Sequence, residues 1–139
     1  LIDFNRIIYN PDTKQLYPNA LETLIYLQKS YDVYLISKNE ADRMEKLKTL
    51  GIKDLFVKTY FVEEKTEKLF EEILRTYDKK ISYIIGDLVT NEISIGIKIK
   101  TNTIWIRQGK FKDIELSSWQ GKPTHIIEEL EEIKNIIVS

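Results

Sequence analysis

The stretch that decides the fold is SYIIGDLVTNEISIGIKIKTNTIWI, residues 82–106. It opens with a short apolar run, residues 82–87, which ends in Gly-Asp and predicts a buried strand. Residues 91–99 predict a short helix, and residues 103–106 predict the next strand. A strand, a helix and a second strand in this order predict a right-handed crossover between two parallel strands.

The rest of the chain repeats this alternation, with a Pro-Asp turn in IIYNPDTKQLY (residues 7–17) that predicts either a small hairpin or an extended loop. We therefore predict a single α/β domain over residues 1–139: a three-layer, Rossmann-like, doubly wound and mainly parallel sheet of about five to six strands. The other predicted strands lie at 1–4, 33–37, 56–62 and 125–126, with a loop at 108–123 and a final helix at about 128–137. Three further helices are predicted to begin at N-caps formed by Asn19, Asn39 and Thr66.

Composition excludes several classes of function. The 139 residues carry a formal net charge of -1 and no aromatic-basic patch, so nothing predicts binding to nucleic acid. The absence of cysteine excludes disulfides, thiolate zinc sites and a cysteine nucleophile. No apolar run approaches membrane length and no secretory signal is visible, so we expect a cytoplasmic protein without a membrane span. Because the chain begins within an apolar stretch, we allow for residues before Leu1.

Polar side chains follow four successive predicted strands. Asp3 follows the first, Ser37-Lys38-Asn39 the second, Lys65 lies just beyond the third, and Asp87 follows the fourth. The carboxyl ends of parallel strands meet at one edge of the sheet, so we expect these groups to lie together. Two carboxylates suit Mg²⁺, while a hydroxyl at a helix N-terminus and an ammonium suit a phosphate.

These motifs resemble the haloacid dehalogenase (HAD) superfamily, whose members are mostly Mg²⁺-dependent phosphatases. The resemblance covers nearly the whole chain. The matching segments are residues 1–5 for the first motif, 16–37 for the second, 65–74 for the third, 84–106 for the fourth and 123–133 for the ending. The lysine of the third motif is identified as Lys65, with Lys68 as the alternative.

The resemblance implies a role for each site residue. Asp3 would be the nucleophile that forms an aspartyl-phosphate. The Mg²⁺ ligands would be Asp3, the backbone carbonyl of Asn5, Asp87 and, through water, Glu92. The phosphate would be held by Ser37, Lys65 and the amides near Lys38.

The chain departs from the family at Asn5. Family phosphatases carry an aspartate there that protonates the leaving group and later activates water, and an amide can do neither. General acid-base catalysis is typically worth about 10²–10⁴-fold. Arg6 and Ile7 also replace the family's Gly-Thr. The first motif is thus degenerate, Asp-x-Asn, in an otherwise phosphatase-like chain.

Two hypotheses follow. The first is a slow Mg²⁺-dependent phosphohydrolase acting on a phosphorylated small molecule or macromolecule. The second is a catalytically impaired relative that serves as a binding or regulatory module. A receiver domain of two-component signalling is a distant third. No cap domain fits between the motifs, and capless relatives act on macromolecules or close their site by oligomerising, so we favour a homodimer over a monomer.

Overall fold

The computed structural model describes residues 1–108 and 121–137. Short strands and helices alternate along most of this part of the chain. The strands are β1 (Tyr9–Asn10), β2 (Gln15–Leu16), β3 (Tyr34–Lys38), β4 (Lys58–Val62), β5 (Tyr83–Gly86), β6 (Asn102–Ile106) and β7 (His125–Ile127). The helices are α1 (Ala20–Gln28), α2 (Arg43–Thr49), α3 (Glu67–Leu74) and α4 (Ser94–Lys98), with 3-10 turns at Lys53–Leu55, Lys79–Ile81 and Leu130–Asn135 and a wide helical turn at Val89–Ile93.

A parallel sheet forms the centre of the described chain. β3 pairs with β4, and β5, β6 and β7 pair in sequence, all in parallel. The N-terminal segment joins the two groups, because Ile2 bridges Leu35 of β3 on one side and Ile85 of β5 on the other. The order is therefore β4, β3, Ile2, β5, β6, β7. The chain winds outward from the centre in both directions, which confirms the predicted doubly wound α/β fold.

The first predicted strand is shorter than the sequence suggested. Only Ile2 makes ladder bridges, where residues 1–4 were expected to form a strand. The reason is a turn directly after Asp3: the carbonyl of Phe4 accepts hydrogen bonds from the N–H groups of Ile7, Ile8 and Tyr9. The chain thus leaves the sheet at Asp3, which places this carboxylate at the edge.

Helices cover both faces of the sheet. Leu35 and Ile36 are neighbours on β3 and point to opposite faces, as strand geometry requires. Leu35 packs with Leu24 of α1 and Leu47 of α2, and Ile133 joins the same core. Ile36 packs with side chains of α3 and α4, among them Phe70, Ile73 and Ile95. The three-layer arrangement predicted from the alternation is confirmed.

One of the three predicted helix caps is confirmed. The hydroxyl of Thr66 accepts a hydrogen bond from the N–H of Leu69 at 3.2 Å, as an N-cap does. Asn19 takes a left-handed backbone conformation instead, and its amide donates to Glu131. Asn39 lies before the start of α2 and donates to Glu63 at 2.9 Å. Both amides are used in tertiary hydrogen bonds, which local sequence does not reveal.

The remaining elements follow the prediction in part. β1 and β2 pair antiparallel, so residues 7–17 contain the small hairpin. The helix expected at 128–137 is a 3-10 helix over Leu130–Asn135, in which buried Leu130 and Ile133 share one face at the three-residue spacing of that helix. The predicted loop at 108–123 lies largely outside the described residues. In residues 1–108 and 121–137, every helix is too short or too polar to cross a membrane.

Candidate active site

The carboxyl ends of the central strands surround a cavity of about 490 Å³. Asp3, Ser37 and Asp87 enter it from three adjacent strand positions, and Lys65 enters from the segment between β4 and α3. The described residues that line it are Asp3, Asn5, Arg6, Ser37, Lys38, Glu40, Glu63, Glu64, Lys65, Asp87, Leu88, Asn91 and Glu92. The structure therefore brings Asp3, Asn5, Ser37, Lys38, Lys65, Asp87 and Glu92 to one cavity, whereas Asn39 is not among its lining residues.

Three acids form a compact cluster within the cavity. Carboxylate oxygens of Asp3, Asp87 and Glu92 all lie within 4.8 Å of one another, and all three residues are buried. Asp87 Oδ1 and Glu92 Oε2 are buried without a hydrogen-bond partner among the described residues. A buried oxygen that lacks a donor carries a large desolvation cost, and a cation would remove it. The cluster therefore fits a divalent cation.

Gly86 allows Glu92 to reach this cluster. Glu92 lies in the wide turn that follows β5, and Asn91 beside it has non-helical backbone angles (φ -122°, ψ -105°). This kink folds the Glu92 side chain back over the end of β5. A Cβ atom at Gly86 would lie 2.6 Å from Glu92 Cγ, closer than real atoms approach. The glycine is thus required by the close approach of the acid.

Lys65 forms ion pairs with two of the three acids. Its Nζ lies 3.0 Å from Asp3 Oδ1 and 3.1 Å from Glu92 Oε1, with only 5% of the side chain exposed. Lys68, the alternative, is exposed on α3. Asp3 Oδ1 also accepts a hydrogen bond from the N–H of Phe4 at 2.7 Å. The Asp3 carboxylate is therefore held in one orientation by its own loop and by Lys65.

The acids and the lysine perturb one another's protonation. Burial raises the pKa of Glu92 to about 8; the negative charge of Asp3 adds to this shift, and Lys65 opposes it. Burial also raises the pKa of Asp87, against the hydrogen bond from Arg6. For Lys65, burial would lower the pKa, but the charges of Asp3 and Glu92 outweigh it and the pKa is raised. Lys65 thus stays protonated between the two acids.

The first loop carries two arginine contacts that the sequence analysis did not foresee. Arg6 Nε donates to Asp87 Oδ2 at 2.7 Å. Arg43 Nη1 donates to Asn5 Oδ1 at 3.4 Å, and its guanidinium lies 4.6 Å from the centre of the Phe4 ring. Sequence gave no local signal for Arg43, since a position on α2 does not indicate that its side chain is buried beside Asn5.

The predicted phosphate-binding group is arranged differently from the expectation. Ser37 is buried within β3 and contacts the carbonyl of Lys38 at 3.4 Å, whereas α2 begins only at Arg43. The expected hydroxyl at a helix N-terminus is therefore wrong in detail, although Ser37 lines the cavity. Lys38 is exposed at the rim. The rim also carries Glu40, Glu63 and Glu64, which the sequence analysis missed, so six carboxylates face three cations among the described lining residues.

A parallel sheet between two layers of helices, with acids and a lysine at its strand ends, is typical of the class of HAD-like hydrolases. Comparison with known proteins supports this class. Residues 64–133 match the model of the HAD-hydrolase-like family. This is half of the chain, and the protein belongs to that family. No curated protein sequence matches the chain with significance.

Solved structures share the fold. The HAD-hydrolase YfnB from Bacillus subtilis, bound to magnesium, matches 90% of this chain over 57% of its own, with a TM-score of 0.76 and 21% identity. An uncharacterized protein from Listeria monocytogenes serotype 4b matches 97% of this chain over 93% of its own (TM-score 0.72, 19% identity). A HAD phosphatase from Thermococcus onnurineus matches 88% over 58% (TM-score 0.69, 20% identity). Haloacid dehalogenases share the fold too. The chain thus spans little more than half of two of these structures.

Proposed function

We propose that this protein is a Mg²⁺-dependent phosphatase of the HAD type that acts slowly, through an aspartyl-phosphate on Asp3. The observation that carries the proposal is the Asp3 carboxylate, fixed 3.0 Å from the ammonium of Lys65 in a cavity that also holds Asp87 and Glu92. The magnesium described for the B. subtilis structure and the phosphatase from T. onnurineus agree with this chemistry.

The donor set fits Mg²⁺, since the two partnerless buried oxygens of Asp87 and Glu92 lie beside Asp3. Asp3 and Asp87 would hold the ion directly, together with the carbonyl of Asn5, and Glu92 would hold it through water. When bound, the ion would supply positive charge that lets an anionic carboxylate approach an anionic phosphate. It would also offset the excess of carboxylates that line the cavity.

The residues of the site would then have separate roles in the reaction. An oxygen of Asp3 attacks phosphorus, and the bond from phosphorus to the leaving oxygen breaks with its electron pair on that oxygen. Lys65 and Ser37 hold the phosphoryl oxygens, while the Phe4 N–H keeps the Asp3 carboxylate in position. A water molecule then attacks the aspartyl-phosphate, releasing phosphate and restoring Asp3.

Asn5 limits both steps. Its amide can give no proton to the leaving group, and it cannot take one from water. The best substrates are therefore those whose leaving group needs no proton, such as acyl and aryl phosphates. We expect a burst of product, equal to the enzyme present, before a slow steady state.

Burst kinetics test the proposal. An aryl phosphate is mixed with the protein and Mg²⁺, and phosphorylated protein is measured by mass spectrometry after acid quenching. The wild type and Lys68→Gln should show the burst and the added phosphate; Asp3→Asn and Lys65→Gln should show neither. If folded, Mg²⁺-loaded wild type shows no burst and no phosphorylation, the enzyme proposal is refuted.

A binding or regulatory module is the second candidate. It is favoured by one observation, the ion pair between Arg6 and Asp87, which occupies a carboxylate that a phosphatase needs for its metal. In that case phosphate analogues such as vanadate would bind to the protein without turnover of any phosphate ester. Titration calorimetry with vanadate, beside the burst assay, separates the two candidates.

A further inference from the structure

Arg6 is a charged residue of the site to which none of the roles above is assigned. Its Nε lies 2.7 Å from Asp87 Oδ2, and 25% of the arginine side chain is exposed against 1% for the aspartate. The backbone of Asp87 is also held in place, because the indole N–H of Trp105 donates a hydrogen bond to its carbonyl. The guanidinium is therefore a second cation of the cluster, paired with the acid for which no ion pair with Lys65 is found among the described residues.

The backbone holds Arg6 in this place at a conformational cost. Its φ of 63° lies in the left-handed region that favours glycine. The N–H of Arg6 donates to the carbonyl of Tyr9 at 2.8 Å, and its carbonyl accepts from Nε2 of Gln108 at 3.0 Å. Because the N–H and the carbonyl of Arg6 are both hydrogen-bonded, the backbone from which its side chain extends is held in position. An arginine is thus positioned where a glycine would be relaxed, and from there its side chain forms the ion pair with Asp87.

Each acid of the cluster already has a cationic partner within the protein. Lys65 pairs with Asp3 and Glu92, and Arg6 pairs with Asp87. An incoming divalent cation has to share Asp87 through Oδ1 or displace Arg6 from Oδ2. In either case the divalent cation is repelled by the positive charge of the Arg6 guanidinium a few ångströms away.

We propose that Arg6 is an internal counter-cation that competes with the divalent cation for Asp87 and so weakens the affinity of the site for Mg²⁺. This inference rests on the proposed function, since it assumes that Asp3, Asp87 and Glu92 form the cation site. Removing the positive charge should strengthen Mg²⁺ binding by about tenfold or more, because unit charges at such distances interact strongly in a partly buried site.

The experiment is titration calorimetry with Mg²⁺ alone, at constant ionic strength, on protein first treated with EDTA. Arg6→Gln keeps an N–H donor for Asp87 but removes the charge. Arg6→Lys keeps the charge. Lys48→Gln removes an equal charge from the surface, where Lys48 lies 3.7 Å from Glu45 and lines no part of the cavity. We expect Kd to fall about tenfold or more for Arg6→Gln, and to stay within about twofold of wild type for the other two.

The outcomes separate this inference from the function on which it rests. If wild type binds Mg²⁺ and Arg6→Gln binds it equally or more weakly, the cation site stands and the role of Arg6 is refuted. If neither wild type nor any Arg6 variant binds Mg²⁺, the cation site itself is refuted, and the inference with it. Far-UV circular dichroism checks folding. Should Arg6→Gln fail to fold, Arg6→Gly, which relaxes the positive φ, takes its place under the same criteria.

Discussion

The two halves of the candidate active site differ in whether the family model covers them. The half built from residues 64–133 matches the family model, and in it Lys65, Asp87 and Glu92 form a compact charged cluster. The other half, the loop after Asp3, lies outside that match. There Arg6 pairs with Asp87, and Asn5 accepts a hydrogen bond from Arg43. The cluster thus combines residues that the family model covers with a loop that it does not cover.

The largest effect is expected on the half that follows the family. Lys65→Gln removes the buried partner of Asp3 and Glu92, and breaking a buried ion pair typically costs about 3–5 kcal/mol. The free energy of unfolding should fall by about that amount in urea at neutral pH. Lys68→Gln changes the same charge on the exposed face of α3 and should change stability by less than about 0.5 kcal/mol. Equal losses for the two variants would contradict the assigned role of Lys65 in holding the acids.

The next effect concerns the divergent half. Asn5→Asp should raise the steady-state turnover of an aryl phosphate by about 10²-fold, the lower end of general acid-base effects. Arg43 lies beside this position and would hold the new carboxylate ionised, so it would act mainly as the base in the second step. The gain should therefore appear in the breakdown of the phosphorylated protein more than in its formation, as followed by rapid quench.

A matched control for this change is Asn10→Asp. Asn10 lies in the hairpin, and its side-chain oxygen accepts from the N–H of Asp12, a contact that a carboxylate retains. This variant should leave turnover unchanged. If Asn5→Asp stays inactive while folded and binding Mg²⁺, the amide is not the only defect, and Arg6 and Ile7 become the next candidates.

A smaller effect tests the packing that brings Glu92 to the cluster. Gly86→Ala should destabilise the protein by about 1–3 kcal/mol, since the new methyl group overlaps the Glu92 side chain. In a Glu92→Ala background the same change should cost much less. Denaturant unfolding of the four proteins forms a double-mutant cycle. A cost that is the same in both backgrounds would show that Glu92 is not what Gly86 accommodates.

The last expected effect is a dependence of stability on pH. Burial raises the pKa of Glu92 to about 8 in the folded protein, above the value in the unfolded chain. The folded state therefore binds the proton more tightly, so the contribution of Glu92 to stability is present below the unfolded pKa and is lost as pH rises towards 8. In EDTA, the melting temperature of the wild type should fall over this range more than that of Glu92→Gln. Identical pH profiles would contradict the raised pKa.

The sequence predicted the sheet and the cavity because both follow from local patterns. Apolar runs and helical spacing gave the alternation of strands and helices, and the rule that strand ends meet gave the meeting of Asp3, Ser37, Lys65 and Asp87. It did not predict the ion pair of Arg6 or the buried Arg43. Their partners lie 81 and 38 residues away in sequence, so their contacts depend on tertiary packing. The caps expected at Asn19 and Asn39 failed for the same reason.

The side-chain amide of Gln108 gives the divergent loop a distant anchor. Its Nε2 donates to the carbonyls of Arg6 and Ile7, at 3.0 and 3.1 Å, across about a hundred positions of sequence. The loop that begins with Asp3 and the segment that leaves β6 are therefore mechanically linked. Gln108 lines no part of the cavity, so the loop that places Arg6 against Asp87 is held partly by a residue outside the site.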